Sequence, residues 1–290
     1  MFSGGKPLTR LKSNDIESIS TRLKEYNHDL QRIAGRGLLG IACHCCKMDE
    51  ASLRGRATGY SIHVVPVTAG LGIIGDFSET VCAILRFLGF SAEVATQSDV
   101  AGLSEAFEKG ADAIFMADDH RFVALDLHTR TVIDNSRATG RVYSAALDLM
   151  ARGVRNKDVL VVGCGPVGEA ATRSLLTLGA RVGLHDCSPM AAWSLIKKSD
   201  ERANLVIEEN LKKALGKYRY IVDATPASEL IPDDLLADGT CISAPGVPLG
   251  VSEKGRLLLE NRLVHDKLEL GVAAMAVSLL GSTPPGDYLD

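Results

Sequence analysis

The run Asp158-Val-Leu-Val-Val-Gly163-Cys164-Gly165-Pro166-Val167-Gly168 places G-x-G-x-x-G directly behind an apolar segment and ahead of a helical one, Glu169–Leu178. That arrangement can cradle a pyrophosphate. Gly163 permits a tight turn, Gly165 lets the backbone approach the phosphates, and Gly168 allows a helix to pack closely on a strand. Pro166 and Val167 are expected to contact the cofactor from the loop ahead of that helix, whose N-terminal N–H groups and positive potential favour an anion. Asp186 ends the next apolar run, where a carboxylate can accept hydrogen bonds from ribose hydroxyls; no Arg replaces it to welcome a 2′-phosphate, so NAD is expected over NADP. Ala224-Thr225-Pro226 and Pro245-Gly246 follow two further apolar runs and are expected to wall the ribose and nicotinamide, although each also reads as a tight turn.

A second group of residues is acidic. Thr68 lies in a loop leaving Val65-Pro66-Val67, Asp76-Phe77-Ser78-Glu79 opens a helix, and Asp118-Asp119 closes an apolar run, with no Lys or Arg between Val64 and Leu85. If this rim faces the cofactor cleft, it suits an ammonium group rather than a carboxylate or phosphate. Asp118 and Glu79 are then the candidate catalytic acids, and Thr68, Ser78 and Asp119 candidate substrate contacts. Blander roles compete: Asp76 and Glu79 have capping-box spacing, and Asp is common where a strand ends in a loop. His120 reads as an exposed loop residue, Cys164 as a small space-filler, and Cys43-His44-Cys45-Cys46 as thiols packed on a helix, not a zinc site, so no metal is expected.

Around these residues the hydrophobic periodicity predicts two layers of architecture. Ile16, Ile19, Leu23, Tyr26, Leu30 and Ile33 form the stripe of a helix beginning near a capping box at Asn14 and Glu17, a shorter helix runs from Gly37 to Met48, and Asp49 to Tyr60 reads as a loop. From Ile62 the pattern becomes strand, helix, strand, helix, strand (62–67, 78–88, 92–95, 100–109, 113–117), a parallel βαβαβ unit. An irregular stretch reaches Asn135, and a connecting helix is expected over Val142–Ala151. Six strands then follow at 159–162, 182–185, 205–207, 220–223, 241–243 and 263–264. The expected fold is α/β, with a C-terminal doubly wound Rossmann domain (139–290) and a smaller N-terminal helical and α/β domain (1–138). The apolar-faced first helix and the last, Leu268–Leu280, suggest a homodimer. The tail Gly281–Asp290 is expected to be loose.

Composition narrows the function classes. The 290 residues are 46% hydrophobic and 23% charged, with net charge −4, which excludes a disordered chain and gives nucleic acid no basic stripe. No apolar run approaches the length of a membrane span, so no membrane partner is expected. Seven cysteines, an odd count, suit free thiols in a reducing compartment. Met1 to Pro7 has neither secretory nor transit character, and a cytoplasmic location is expected.

The segments Val65-Pro66-Val67-Thr68-x-Gly70-x-Gly72-Ile73-Ile74-Gly75-x-Phe77-Ser78-Glu79, Met116-Ala117-Asp118-Asp119-x-x-Phe122, Val159-Leu160-Val161-Val162-Gly163-x-Gly165-x-Val167-Gly168, Ala224-Thr225-Pro226 and Pro245-Gly246-x-Pro248 resemble the pyrrolysine synthase family, over about residues 15 to 280. The resemblance implies NAD-dependent oxidation of the isopeptide 3-methyl-D-ornithyl-N6-L-lysine, loss of ammonia, and closure of the pyrroline ring of pyrrolysine. It also implies that Asp118 matches the family's substrate-contacting acid and that Asp266 stands where the family has Glu. Rival readings are another two-domain NAD-dependent dehydrogenase, acting on an amino acid or methylenetetrahydrofolate, and a non-catalytic NAD-sensing module. A folate enzyme would want a catalytic Lys in the first domain's strand-end loops, and a sensor would not need Glu79 and Asp118.

Overall fold

The computed structural model describes residues 13–70 and 74–281. Gly72 and Ile73, the N-terminal segment Met1–Pro7, the side chain of Asn14 and the tail beyond Gly281 lie outside the described residues. The chain forms two compact units. One holds the described residues up to Glu25, Cys46–Asn135 and those from Lys267 onward; the other holds Tyr26–Cys45 and Ser136–Asp266. No helix among the described residues is long and apolar enough to cross a membrane.

The first unit is built on a five-stranded sheet. β1 (Ser61–Val64), β2 (Ser91–Val94) and β3 (Ala113–Ala117) are parallel and joined by α5 (Phe77–Phe87) and α6 (Asp99–Glu108), as the periodicity requires. Two further strands, β4 (Phe122–Asp126) and β5 (Val132–Asp134), continue the sheet antiparallel in the order β2-β1-β3-β4-β5. They occupy the stretch that reads as irregular. Phe122, Ala124 and Asp126 are buried in strict alternation, but the turn after them has no Gly, Pro or Asn to announce it. Asp126 makes that turn instead, its Oδ1 accepting from the N–H groups of His128 (2.9 Å) and Thr129 (2.8 Å).

Helices α1 (Ser13–Ile16) and α2 (Ile19–Ala34) bury the expected stripe at Ile16, Ile19, Leu23 and Leu30, with α3 (Leu38–Cys46) following. The expected loop at 49–60 is a correction: Glu50–Ala57 is a helix, α4. Asp49 caps it by accepting from Ser52 N–H at 2.8 Å, and Arg54 closes on Glu50 at 2.6 Å. Local capping and an i,i+4 pair outweigh the glycine that suggested a loop. The connecting helix α7 also begins earlier than expected, at Asn135, and runs to Met150. The last helix, α12 (Glu269–Gly281), packs against α5 and β4 and is buried along almost its whole length.

The second unit is a six-stranded, wholly parallel sheet of β6 (Asp158–Val162), β7 (Arg181–His185), β8 (Leu205–Ile207), β9 (Tyr220–Asp223), β10 (Cys241–Ser243) and β11 (Leu263–Val264). Their order, β11-β10-β9-β6-β7-β8, is that of the doubly wound dinucleotide fold. Consecutive residues of β6 feed opposite cores. Val159 and Val161 pack with Leu175, Val182 and Leu184, under α8 (Pro166–Thr177) and α9 (Pro189–Lys198). Leu160 and Val162 pack with Ile221, Ile242 and Leu215, under α10 (Leu211–Lys217) and α11 (Glu253–Leu259). A strand buried on both faces must be apolar at every position, which is why β6 reads as a continuous apolar run.

Candidate functional site

In the second unit, three loops meet at the carboxyl ends of β6, β9 and β10. Gly163 adopts φ +91°, and its N–H donates to His185 O at 2.8 Å. A Cβ on Gly168 would fall 1.8 Å from Gly163 O, so the turn closes directly onto α8. Gly165 lies in the open, with nothing within 4 Å of where its Cβ would be. It is the N-cap of α8, and no side chain among the described residues bonds the helix's first N–H groups, which leaves them to an anion; Pro166 and the half-buried Val167 follow. Asp186 Oδ2 accepts from Cys164 N–H at 2.7 Å and Oδ1 from Ser188 N–H at 2.8 Å. Oδ1 also accepts from Cys187 Sγ at 3.6 Å, and Oδ2 keeps a lone pair for a hydroxyl. These residues fit a dinucleotide.

The other walls are tied to this cradle. Ala224 N–H donates to Val162 O at 2.8 Å, and Thr225 bonds Asp223 Oδ1 through its N–H (3.1 Å) and hydroxyl (2.7 Å). Beyond Pro245, Gly246 N–H donates to Asp223 O at 3.1 Å, and a Cβ on Gly246 would fall 1.9 Å from Thr225 O. The structure thus brings together Gly163–Gly168, Ala224–Pro226 and Pro245. Asp223 itself is fully buried, its Oδ2 has no hydrogen-bond partner among the described residues, and desolvation pushes its carboxyl up to about 6. Cys164 has no nucleophilic character: burial, with Asp186 beside it, pushes its thiol up to about 12.

In the first unit, the carboxyl ends of β1 and β3 and the start of α5 form a second cluster. Asp118 N–H donates to Arg121 O at 2.9 Å, while Asp118 Oδ1 accepts from the N–H groups of His120 and Arg121, both at 2.7 Å. The Arg121 N–H bond, helped by the His120 N–H bond and by the nearby side chains of His120 and Arg121, holds the carboxyl below its ordinary range. Oδ2 carries no hydrogen bond among the described residues. Asp119 and His120 are exposed. Gly70, at φ +58°, packs so tightly here that a Cβ would lie 2.1 Å from Asp119 N. Phe77, first residue of α5, meets Phe122 edge-on at 5.4 Å between ring centroids, drawing Ser78 and Glu79 to the same end of the sheet.

Glu79 is exposed and makes no hydrogen bond or ion pair among the described residues; Ser78 is buried. The capping alternative for the pair Asp76 and Glu79 fails on geometry, since Asp76 sits at φ +62° and its side chain caps nothing. Thr68 is held by a residue the sequence does not flag, Asp99, which accepts from its N–H (2.9 Å) and hydroxyl (2.6 Å). Asp266 belongs to the second unit, unlike the other acids. It is buried behind β11, its Oδ2 accepts from Tyr26 Oη at 2.7 Å, and its backbone N–H and carbonyl both bond Tyr143 Oη at 3.0 Å. Neither tyrosine carries a local signal, because each lies far from Asp266 in sequence. In the Cys43–Cys46 segment, His44 pairs with Asp148 at 2.9 Å and Cys46 Sγ lies 3.4 Å from Ser278 Oγ.

A Rossmann sheet bearing a complete dinucleotide loop, accompanied by a smaller α/β unit with an acidic strand-end cluster, defines a two-domain α/β protein of the dehydrogenase type. Solved structures agree on the fold: quinate dehydrogenase from Corynebacterium glutamicum in complex with NAD matches 78% of this chain and 95% of its own at 15% identity and a TM-score of 0.52. Shikimate dehydrogenase from Aquifex aeolicus matches 76% and 90% at 16% identity and a TM-score of 0.51. Sequence relatives are more specific. Pyrrolysine synthase of Methanosarcina acetivorans is 32% identical over 280 residues, covering 93% of this chain and 99% of the relative, and that of Methanosarcina barkeri is 32% identical over 272 residues, covering 93% and 97%. Residues 15–133 match the family described as pyrrolysine biosynthesis protein PylD, N-terminal domain. The chain belongs to the pyrrolysine synthase family.

Proposed function

We propose that this chain is an NAD-dependent dehydrogenase that oxidises 3-methyl-D-ornithyl-N6-L-lysine at the carbon bearing the terminal amine, leading to pyrrolysine. The observation that carries the reading is Asp118: a carboxylate held ionised by two backbone N–H groups, with its second oxygen uncommitted, on a strand-end loop whose sequence matches the family. An ionised, fixed carboxylate is a counter-charge for an ammonium group. Glu79 and Asp119, exposed at the same sheet end, supply further negative potential for the substrate's other amine.

NAD, held by Gly163, Gly165, Pro166, Val167, Gly168, Asp186, Ala224, Thr225, Pro226 and Pro245, supplies the hydride acceptor. Asp186 favours NAD over NADP, because a 2′-phosphate would meet its carboxylate. The substrate's terminal ammonium must shed a proton before its carbon can be oxidised. Asp118, with its lowered pKa, is a weak base and serves better to anchor a charge than to take that proton, which leaves to water. Oxidation gives an imine; water converts it to a carbonyl and ammonia; the substrate's free amine attacks that carbonyl, and loss of water closes the five-membered ring. Asp118 holds the substrate's ammonium while these steps follow.

The test supplies the isopeptide with NAD+ and follows reduced cofactor and ammonia together. Both are expected in equal amounts, and folded protein yielding neither overturns the reading. Asp118→Ala is expected to lower kcat/KM for the isopeptide at least ~100-fold, as loss of a charge-assisted contact predicts, with NAD affinity near the parent value. A matching loss of NAD affinity would assign Asp118 to the cofactor site or to the fold.

A further inference from the structure

The loop that follows β1 is shaped from outside itself. Asp99 opens α6 with φ +52°, a left-handed conformation that disfavours a non-glycine residue. In that conformation its N–H donates to Pro66 O at 2.9 Å, Oδ1 accepts from Thr68 N–H at 2.9 Å, and Oδ2 accepts from Thr68 Oγ at 2.6 Å. A carboxylate in the first turn of a helix usually serves that helix's own N–H groups or dipole. Here both oxygens turn away to a segment 31 residues earlier in the chain.

The anchor is itself secured. Glu105, one helical face along α6, accepts from Thr96 N–H (3.2 Å), Thr96 Oγ (2.9 Å) and Gln97 N–H (2.9 Å), and pairs with Lys109 at 2.8 Å, so the approach to Asp99 is fixed on the helix it begins. At the far end of the clamped loop, Gly70 rests on the backbone of Asp118 and Asp119 with no room for a side-chain carbon. A loop fixed at Pro66 and Thr68 and in contact at Gly70 cannot shift without moving the turn that carries Asp118.

We infer that Asp99 is a positioning residue for the substrate: its carboxylate clamps Thr68 so that the Thr68–Gly70 loop holds the Asp118–Asp119 turn in the one arrangement that receives the substrate ammonium. This rests on the substrate reading above. The strained backbone and the three bonds converging on one short segment carry it, since strain of this kind persists where surrounding contacts over-determine it.

Asp99→Gly removes the carboxylate and tolerates φ +52°, whereas Asp99→Asn keeps an acceptor for Thr68 N–H and also tolerates that conformation. In Asp99→Gly, amide exchange at Thr68 is expected to quicken and KM for the isopeptide to rise about ten-fold, the usual scale for loss of a charge-assisted hydrogen bond. KM for NAD+ and the thermal midpoint should stay at parent values, Asp99→Asn should recover most of the loss, and adding Thr68→Val to Asp99→Gly should cost nothing more. Parent-like exchange at Thr68, an unchanged isopeptide KM, or an equal rise in KM for NAD+ overturns the inference. Parent protein inert toward the isopeptide overturns the substrate reading alone; exchange at Thr68 in Asp99→Gly then decides the clamp, quickening supporting it and parent-like exchange overturning it.

Discussion

Burial of Asp223 at the end of β9 pushes its carboxyl from 3.8 up to about 6, because desolvation outweighs the two bonds from Thr225 that favour the ionised form. The folded state therefore holds the proton more tightly than the unfolded chain, and this residue's contribution to stability falls as pH rises from about 4 to about 6. Above that range the ionised form imposes a constant cost. Asp223→Asn keeps the acceptor for Thr225 and cannot ionise, so its stability relative to the parent should improve between pH 4 and pH 7, by at most about 3 kcal/mol. Denaturant unfolding of both proteins at the two pH values measures this, and a difference independent of pH would mean that Asp223 finds a partner for its second oxygen. Asp118 shows the opposite environment: two N–H donors hold its carboxyl below the ordinary range. Two aspartates at strand ends, each with two donors on one oxygen, thus acquire different chemistry from how deeply each is buried.

At the scale of elements, the strand-to-helix turn at Gly163–Gly168 has the least tolerance. A methyl group on residue 168 would sit 1.8 Å from Gly163 O, and neither β6 nor α8, buried on both sides of the turn, can yield. Gly168→Ala should therefore displace the loop and weaken NAD binding by more than ~10-fold, a cost of the ~1–3 kcal/mol typical of overpacking. Titration by cofactor fluorescence reads it, and parent-like affinity would show that the helix can slide. The helices also show why local pattern misleads. α4 carries only Leu53 and Ala57 as buried residues, too few to announce a period, and is held by its cap at Asp49. The first two turns of α7, with Asn135, Ser136, Thr139 and Gly140, contain poor helix formers; Gly140 is required there because a Cβ would come 2.3 Å from Val167 O, where α7 and α8 pack.

At the scale of the whole molecule, a ligand that binds only the folded state must raise its stability. Saturating NAD+ at ~100 times its Kd should add about 2.7 kcal/mol to the unit that binds it. A thermal scan is expected to show an upward shift with NAD+, a smaller one with NADP+, and none with NAD+ in Asp186→Ala, which loses both the ribose acceptor and the bond to Cys164 N–H. An equal response to both cofactors would remove the assigned role of Asp186. The amino-acid sequence by itself determined the parallel strands of both sheets and the dinucleotide loop, because buried strand positions are mostly apolar and a pyrophosphate turn needs glycines at fixed spacing. Those are local requirements, written in neighbouring residues. Only the tertiary structure decided that residues 26–45 join the second unit while the chain beyond Lys267 returns to the first, that β4 and β5 extend the first sheet, and that Asp99 grips Thr68 while Tyr26 and Tyr143 grip Asp266. Such pairings are set by which distant surfaces pack together, and a single hydrogen bond across 31 or 240 residues leaves no periodicity in the sequence.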